Sequence, residues 1–202
     1  MNQNYHHGAL REALLSAAET ILERDGIAGL TLRAAAREAG VSHAAPTHHF
    51  RNLSGLLSEL AASGFVRLRQ HLVDALEAAG PERARRKAAL SRGYIAFARE
   101  SPGLFRLMFR SEQLDWSNQK LATAGAATFG MLIDQPAEAG PEKFLLPLPQ
   151  LSQAMAHWSM VHGLATLLLD GRIDAVAAEL SPGIGVERLV EEILTSDVSS
   201  TV

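Results

Sequence analysis

Apolar side chains recur at spacings of three and four along almost the whole chain, and strict apolar–polar alternation is nearly absent. That pattern predicts helices throughout. Leu10, Leu14, Ala17, Ala18, Ile21 and Leu22 form one stripe that ends at Asp25-Gly26, glycine being a natural helix stop. Thr31 suits an N-cap, and Leu32, Ala35, Ala36 and Ala39 form a second, short stripe that Gly40 ends. Ser42 can cap a third helix that reaches about Phe50. A longer helix starts at Asn52 or Ser54 and runs through Leu56, Leu57, Leu60, Phe65, Leu68, Leu72 and Leu76 to Gly80-Pro81. Further helices are predicted from Pro81 to about Ser101, over the short segment PGLFRLMF, and over Leu121–Leu132. After a Pro/Gly-rich connector from Gln135 to Pro149 come Leu151–Leu169, closed by Gly171, and Val186 to about Thr195, with a loose tail SDVSSTV. No internal repeat is visible. The fold class is all-α.

The second and third stripes carry the most information. A short helix, a turn holding Ala39-Gly40-Val41 and another short helix make a helix-turn-helix. Gly40 supplies the positive φ such a turn needs. Ala35 and Ala36 are small enough to let two helices cross closely, and Val41 can plug the angle between them. The second helix of such a pair is the one that enters a DNA major groove, N-terminal end first.

Charge qualifies this picture. The chain has a formal net charge of −3, which is unpromising for a nucleic-acid binder, so distribution matters more than the sum. Residues 1–64 hold 5 Arg against 6 acids, residues 65–110 hold 10 Arg/Lys against 4 acids, and residues 111–202 hold 4 against 12. A basic middle therefore sits beside an acidic C-terminal half. There is no cysteine, which excludes disulfides and thiol chemistry. Without an 18-residue apolar run or a signal peptide, no membrane span is expected and the protein is expected in the cytoplasm.

Catalytic and metal chemistry find little support. No Ser/His/Asp set, paired-carboxylate motif or Gly-rich phosphate loop stands where catalysis would need it. His48 and His49 are adjacent, so on a helix they point about 100° apart, and His43 to His48 is a five-residue step. No carboxylate lies one turn away from them on the same helix. Neither a metal nor a cofactor is expected.

The segment YHHGALREALLSAAETILERDGIAGLTLRAAAREAGVSHAAPTHHF resembles the tetracycline-repressor (TetR) family of bacterial transcription regulators, over about residues 5–66. The element GxxGLTLRAAAREAGVS and the terminal His-Phe are its specific features. Further on, Trp158, His162 and Gly163 in WSMVHGLATLLLDG resemble the Trp-x3-His-Gly signature of one subgroup's C-terminal ligand domain, as does PGLFRLMF. Two positions depart from the family pattern. Thr47 stands where a phosphate-contacting Tyr is usual, and Leu53 where Lys or Arg is frequent at the start of the next helix.

The resemblance implies an N-terminal helix-turn-helix DNA-binding domain, residues 1–54, and a C-terminal helical ligand-binding and dimerisation domain, residues 55–202. Ser42, His43, Ala44, Ala45, Thr47 and His48 lie on or near the exposed start of the third helix. Hydroxyls there can bond phosphate or base edges, and alanines allow close approach to a thymine methyl. Pro46 falls at the edge of the first helical turn, where a missing N–H costs least. Thr31 and Arg33, at the start of the second helix, are phosphate-contact candidates. Tyr5, His6 and His7 could form an arm reaching DNA, while Arg83–Lys87 (RARRK) reads as a solvated face of the ligand domain. His49 is expected to pack locally and Phe50 to lie in the three-helix core.

Tyr94, Phe97, Phe105, Met108, Phe129, Met155, Trp158 and His162 are the candidates to line a pocket for a small apolar or amphipathic ligand. The last two helices would pair with their two-fold copies through Ala154, Val161, Ala165, Leu168, Leu189 and Ile193. The partners expected are thus a double-stranded, palindromic DNA operator, a small ligand that releases it, and a second copy of the chain, with no membrane. The implied function is a ligand-responsive repressor. The alternative is a helical small-molecule binding protein that has lost specific DNA binding, an idea that rests on Thr47 and Leu53.

Overall fold

The computed structural model describes residues 3–109, 111–132, 146–180 and 183–199. Among them the elements are α1 (Gln3–Gly29), α2 (Leu32–Glu38), α3 (Ala45–Phe50), α4 (Leu53–Ala79), α5 (Arg83–Glu100), α6 (Pro102–Met108), a 3₁₀ turn at Ser111–Gln113, α7 (Gln119–Leu132), α8 (Leu148–Leu169), α9 (Arg172–Leu180) and α10 (Val186–Ser199), with no strand. The described residues form two compact units: Met1–Arg67 with Ser101–Ala126, and Leu68–Glu100 with Ala127–Val202. The expected division at residues 54/55 follows the order of the chain, whereas contacts join residues 101–126 to the first helices.

In the first unit the core follows the expected stripes. Leu14, Ala17, Ala18, Ile21 and Leu22 of α1 are buried, with Leu56, Leu57 and Leu60 of α4. Gly26 breaks α1 with φ 71° and ψ −175°, where the sequence placed the stop. Thr31 caps α2 by accepting from the Ala34 N–H at 3.0 Å. At the other end Val41 N–H donates to the Ala36 carbonyl and Gly40 N–H to that of Arg37, the two bonds of a Schellman motif. Gly40, at φ 67°, makes the positive-φ turn.

The third helix is shorter than its expected start at Ser42 suggested. It begins at Ala45 after an Ala44 N-cap that makes no side-chain bond, so Ser42 is not the cap. Pro46 explains this. A helix begun at Ser42 would carry the proline beyond its first turn, whereas starting at Ala45 keeps Pro46 among residues whose N–H groups need no helical partner.

The junction after α3 is tight. Asn52 Oδ1 accepts from the Gly55 N–H at 2.8 Å, so Asn52 caps α4. The Phe50 carbonyl lies so close to Gly55 that a Cβ there would overlap its oxygen. On the far side of the unit, Glu23 of α1 accepts from the Gly103 and Leu104 N–H groups at 2.8 and 2.9 Å, an anion on the first turn of α6.

In the second unit α5 packs on α8 and α10, and α9 packs between α8 and α10 in the chain. The predicted elements hold there with three changes. α8 begins at Leu148, because Pro147 and Pro149 sit at or before the first helical turn, where proline is tolerated. α9 has no counterpart in the expected elements. α10 extends to Ser199. Residues 133–145 of the expected connector and residues 200–202 of the expected loose tail lie outside the described residues, as do the side chains of Tyr5, His6 and His7.

Gly55 gives the sharpest mutational test of this architecture. A helical Gly→Ala exchange ordinarily gains up to about 1 kcal/mol. At position 55 the new methyl meets backbone that cannot swing aside, and Gly55→Ala is expected to lose about 1–3 kcal/mol instead. Urea unfolding of the two proteins reads the sign directly.

Candidate nucleic-acid interface and ligand site

α2 and α3 pack together over Ala35 and Ala36, both fully buried, with Phe50 and Pro46 turned inward. That inward face leaves Ser42, His43, Ala44, Thr47 and His48 exposed and Ala45 half-buried. Thr31 and Arg33, at the start of α2, are exposed as well. All eight expected interface residues therefore belong to one helix-turn-helix. His49 is half-buried, its ring tilted against Phe50 at 6.2 Å.

Phe50 is the anchor of α3. Its ring is buried, and the Arg11 guanidinium of α1 lies 5.5 Å from the ring centroid. Arg11 also pairs with Glu59 of α4, which Lys120 of α7 approaches at 3.6 Å. Desolvation, and then the nearby Arg11 charge, hold the Lys120 ammonium below its ordinary pKa. One cation thus ties α1, the end of α3 and α4 together.

The puzzle of the nearly neutral N-terminal segment resolves in the same pairings. Of its six acids, Glu19 pairs with Arg67, Asp25 and Glu38 with Arg24, and Glu59 with Arg11, while Glu23 caps α6. Only Glu12 lacks such a partner among the described residues. Of the five arginines of residues 1–64, three are exposed without an ion pair among the described residues: Arg33, Arg37 and Arg51. Sequence reasoning missed Arg37 and Arg51, because counting charges cannot tell engaged carboxylates from free ones.

Arg51 has a second peculiarity. It is the one positive-φ residue other than glycine among the described residues, at φ 63° and ψ −54°. The Asn52 N–H donates to the Phe50 carbonyl at 2.7 Å across it, making a γ-turn of the rare, strained hand.

The ligand candidates divide between the two units. Phe105 and Met108 belong to the first, where Met108 and Leu104 close over Gly64 and Phe105 meets Phe109 at 5.1 Å. Tyr94, Phe97, Phe129, Met155, Trp158 and His162 belong to the second. The eight expected pocket residues therefore do not form one cluster within either unit. Phe97 packs edge-on against His71 at 5.6 Å.

Four of the six do come together. Phe129 stands edge-on to Trp158 at 5.7 Å, Trp158 lies 5.8 Å from His162, and Tyr94 meets His162. Tyr94 Oη is 2.9 Å from His162 Nδ1. Burial pushes the Tyr94 hydroxyl above its ordinary pKa. The hydroxyl can donate to Nδ1 when the imidazole is neutral. Burial favours the same state by lowering the His162 pKa. One turn earlier, Ser91 Oγ is 3.1 Å from His157 Nε2, a pair the sequence reading did not single out.

Beside them is a small cleft lined by Leu90, Ser91, Leu132, His157, Trp158 and Val161, with room for about one water at ≈ 10 Å³. No charged side chain lines it. Among the described residues no three metal-ligating side chains gather, and no helix is long and apolar enough to cross a membrane.

A short helix locked at its C-terminal end, crossed on a second over alanines and exposed along its outer face, defines a helix-turn-helix DNA-binding protein. Comparison with known proteins agrees. Residues 14–60 match the model of the bacterial regulatory proteins of the tetR family, and residues 87–193 match the tetracyclin repressor-like C-terminal domain. The chain belongs to the TetR family of transcriptional regulators, which are not enzymes.

The uncharacterized HTH-type transcriptional regulator YobS of Bacillus subtilis (strain 168) is 26% identical over 98 residues, 48% of this chain. The match spans about half of that relative's length (50%). A structure of a protein with unknown function from Rhodococcus sp. RHA1 is 37% identical with a TM-score of 0.77, covering 98% of each chain. A TetR family transcription regulator from Marinobacter aquaeolei VT8 shares the fold at 16% identity, with a TM-score of 0.62 over 98% of each chain. The matched descriptions carry the family and not the Trp-x3-His-Gly subgroup.

The His162 environment makes stability depend on pH with a definite sign. A histidine whose pKa is depressed on folding stabilises the fold at pH above the unfolded value of ~6.5, and that contribution is lost as pH falls through the folded value. The melting temperature is therefore expected to drop on mild acidification. It should drop less steeply in His162→Gln, which keeps a polar partner for Tyr94 but does not titrate. Calorimetry at neutral and mildly acidic pH compares the two slopes.

Proposed function

We propose that this regulator is a cytoplasmic, ligand-responsive repressor that binds a palindromic operator as a homodimer and leaves it when a small apolar or amphipathic molecule binds the second unit. The observation that carries the DNA half of this reading is the exposed set Ser42, His43, Ala44, Thr47 and His48, before and along a recognition helix fixed by the buried Phe50. Ala44 and Ala45 at its leading end let the backbone come close to base edges, while Thr31 and Arg33 offer bonds to the flanking phosphates.

The dimer half is supported by apolar side chains left exposed on α8, α9 and the segment before α10. Leu148, Leu151, Leu167, Val176 and Ile184 are all exposed in the single chain. Val161 and Ala165, expected on that interface, are instead buried inside their own unit, 3% and 1% exposed. α8 is apolar around most of its circumference, so periodicity could not separate its inner stripe from its outer one. Gly163 faces open space, and a glycine on an outward helical face permits close approach of a second helix. Two recognition helices about one DNA turn apart, ~34 Å, then fit two half-sites.

The ligand half rests on the Tyr94–His162 pair with the Trp158 ring against it, and on the adjoining cleft, which no Asp, Glu, Lys or Arg lines. A molecule that enters there meets aromatic faces and neutral hydrogen-bonding groups, which favours an uncharged, partly apolar ligand. α4 and α7 each contribute residues to both units, so each is a covalent path by which a change at the cleft can bias the DNA-binding helices. Release requires only that ligand affinity differ between the two arrangements.

The test is binding to DNA from just upstream of the gene, at fixed salt, with Ala44→Glu beside the wild type. A carboxylate set against the groove is expected to weaken specific binding about a hundredfold or more, with helix content unchanged. Leu167→Glu is expected to give a monomer by analytical ultracentrifugation and to lose the paired half-site footprint. Weak, sequence-blind binding by the wild type would instead favour a ligand-binding protein that has lost its operator.

A further inference from the structure

We infer that Arg51, at the turn after the recognition helix, is a DNA-backbone anchor. This rests on the DNA-binding reading above and adds to it a residue and a chemical partner, the phosphodiester backbone of duplex DNA.

Length makes the placement decisive. α3 has 6 residues, so it is only about 9 Å long at 1.5 Å per residue, while the major groove it would enter is about 12 Å wide. A helix that enters N-terminal end first leaves its C-terminal end near the lip of the groove, where the phosphates are. Arg51 is the first residue beyond that end. Its guanidinium, on a long flexible stem, is exposed.

Nothing within the protein claims that charge. Arg51 has no ion pair among the described residues, and five of the six acids of the N-terminal segment are already engaged. The exception, Glu12, belongs to α1. The backbone argues in the same direction. Glycine or asparagine is the ordinary occupant of positive φ, yet an arginine holds φ 63° here. Strain kept at an exposed, unpaired cation is what a binding role accounts for and a packing role does not.

The experiment compares wild type, Arg51→Ala, Arg51→Gly and Arg51→Lys on two fluorescein-labelled duplexes, one from upstream of the gene and one of mixed sequence, across a salt series. Loss of one phosphate contact should lower the slope of log K against log salt by about 0.9 and weaken binding about fivefold near physiological salt, alike on both duplexes. Ala and Gly should show this loss, and Lys should retain most of the affinity. Gly relieves the strained φ, so its unfolding midpoint should equal or exceed the wild-type value, separating lost contact from lost fold. Unchanged slopes in Ala and Gly would overturn the assignment. So would a Gly variant that binds normally while Ala does not, since the role would then be conformational. A wild type that binds neither duplex would defeat the regulator reading itself, a result distinct from tight wild-type binding that ignores Arg51.

Discussion

The posture of the recognition helix depends on how Phe50 is held. Its ring is buried under the Arg11 guanidinium, its carbonyl is pressed against Gly55, and Arg11 is fixed in turn by Glu59. A helix of 6 residues is far too short to be stable alone. It exists because one end is locked to α1 and α4 while its body packs on α2 over Ala35 and Ala36. The outer face can then be polar and exposed, since it contributes nothing to holding the helix in place.

The same economy shapes the electrostatics. A DNA-binding surface needs cations facing outward, and a folded unit needs its own charges satisfied. Here the two needs are separated in space. Carboxylates from α1, α2 and α4 are matched with arginines that organise the unit, and the guanidinium groups left over lie at the start of α2, at its end and after α3. The formal balance of the segment describes the sum of two populations and neither one of them.

Much of this was legible in the sequence. The stripe of α1, the stop at Gly26, the Thr31 cap and the Gly40 turn each follow from a local rule, so they could be placed residue by residue. The start of α3 went astray because a serine in a good capping position competes with a proline four residues later, and the proline's missing N–H decides. α9 escaped because Gly171 correctly ends α8 and the segment beyond it is short. On the site side, the exposed face of the helix-turn-helix was visible as a pattern. The pairing of Ser91 with His157 was not, since it joins residues 66 positions apart that no spacing connects. Phe105 and Met108 looked like pocket residues because bulky apolar side chains read alike wherever they pack. The fold sets Met108 over Gly64 and Phe105 against Phe109.

A consequence follows for how such a protein is shared between its target and the rest of a chromosome. Sequence-independent attraction to DNA grows with every guanidinium that faces outward, and a genome offers millions of competing sites, on the order of 10⁶ or more. By engaging Arg11 and Arg24 internally, this unit leaves three of the five arginines of residues 1–64 facing outward. Each guanidinium held internally lowers the attraction to ordinary DNA, and with it the share of copies detained at irrelevant positions. A charge withheld from ordinary DNA counts toward discrimination as a contact made with a chosen site does.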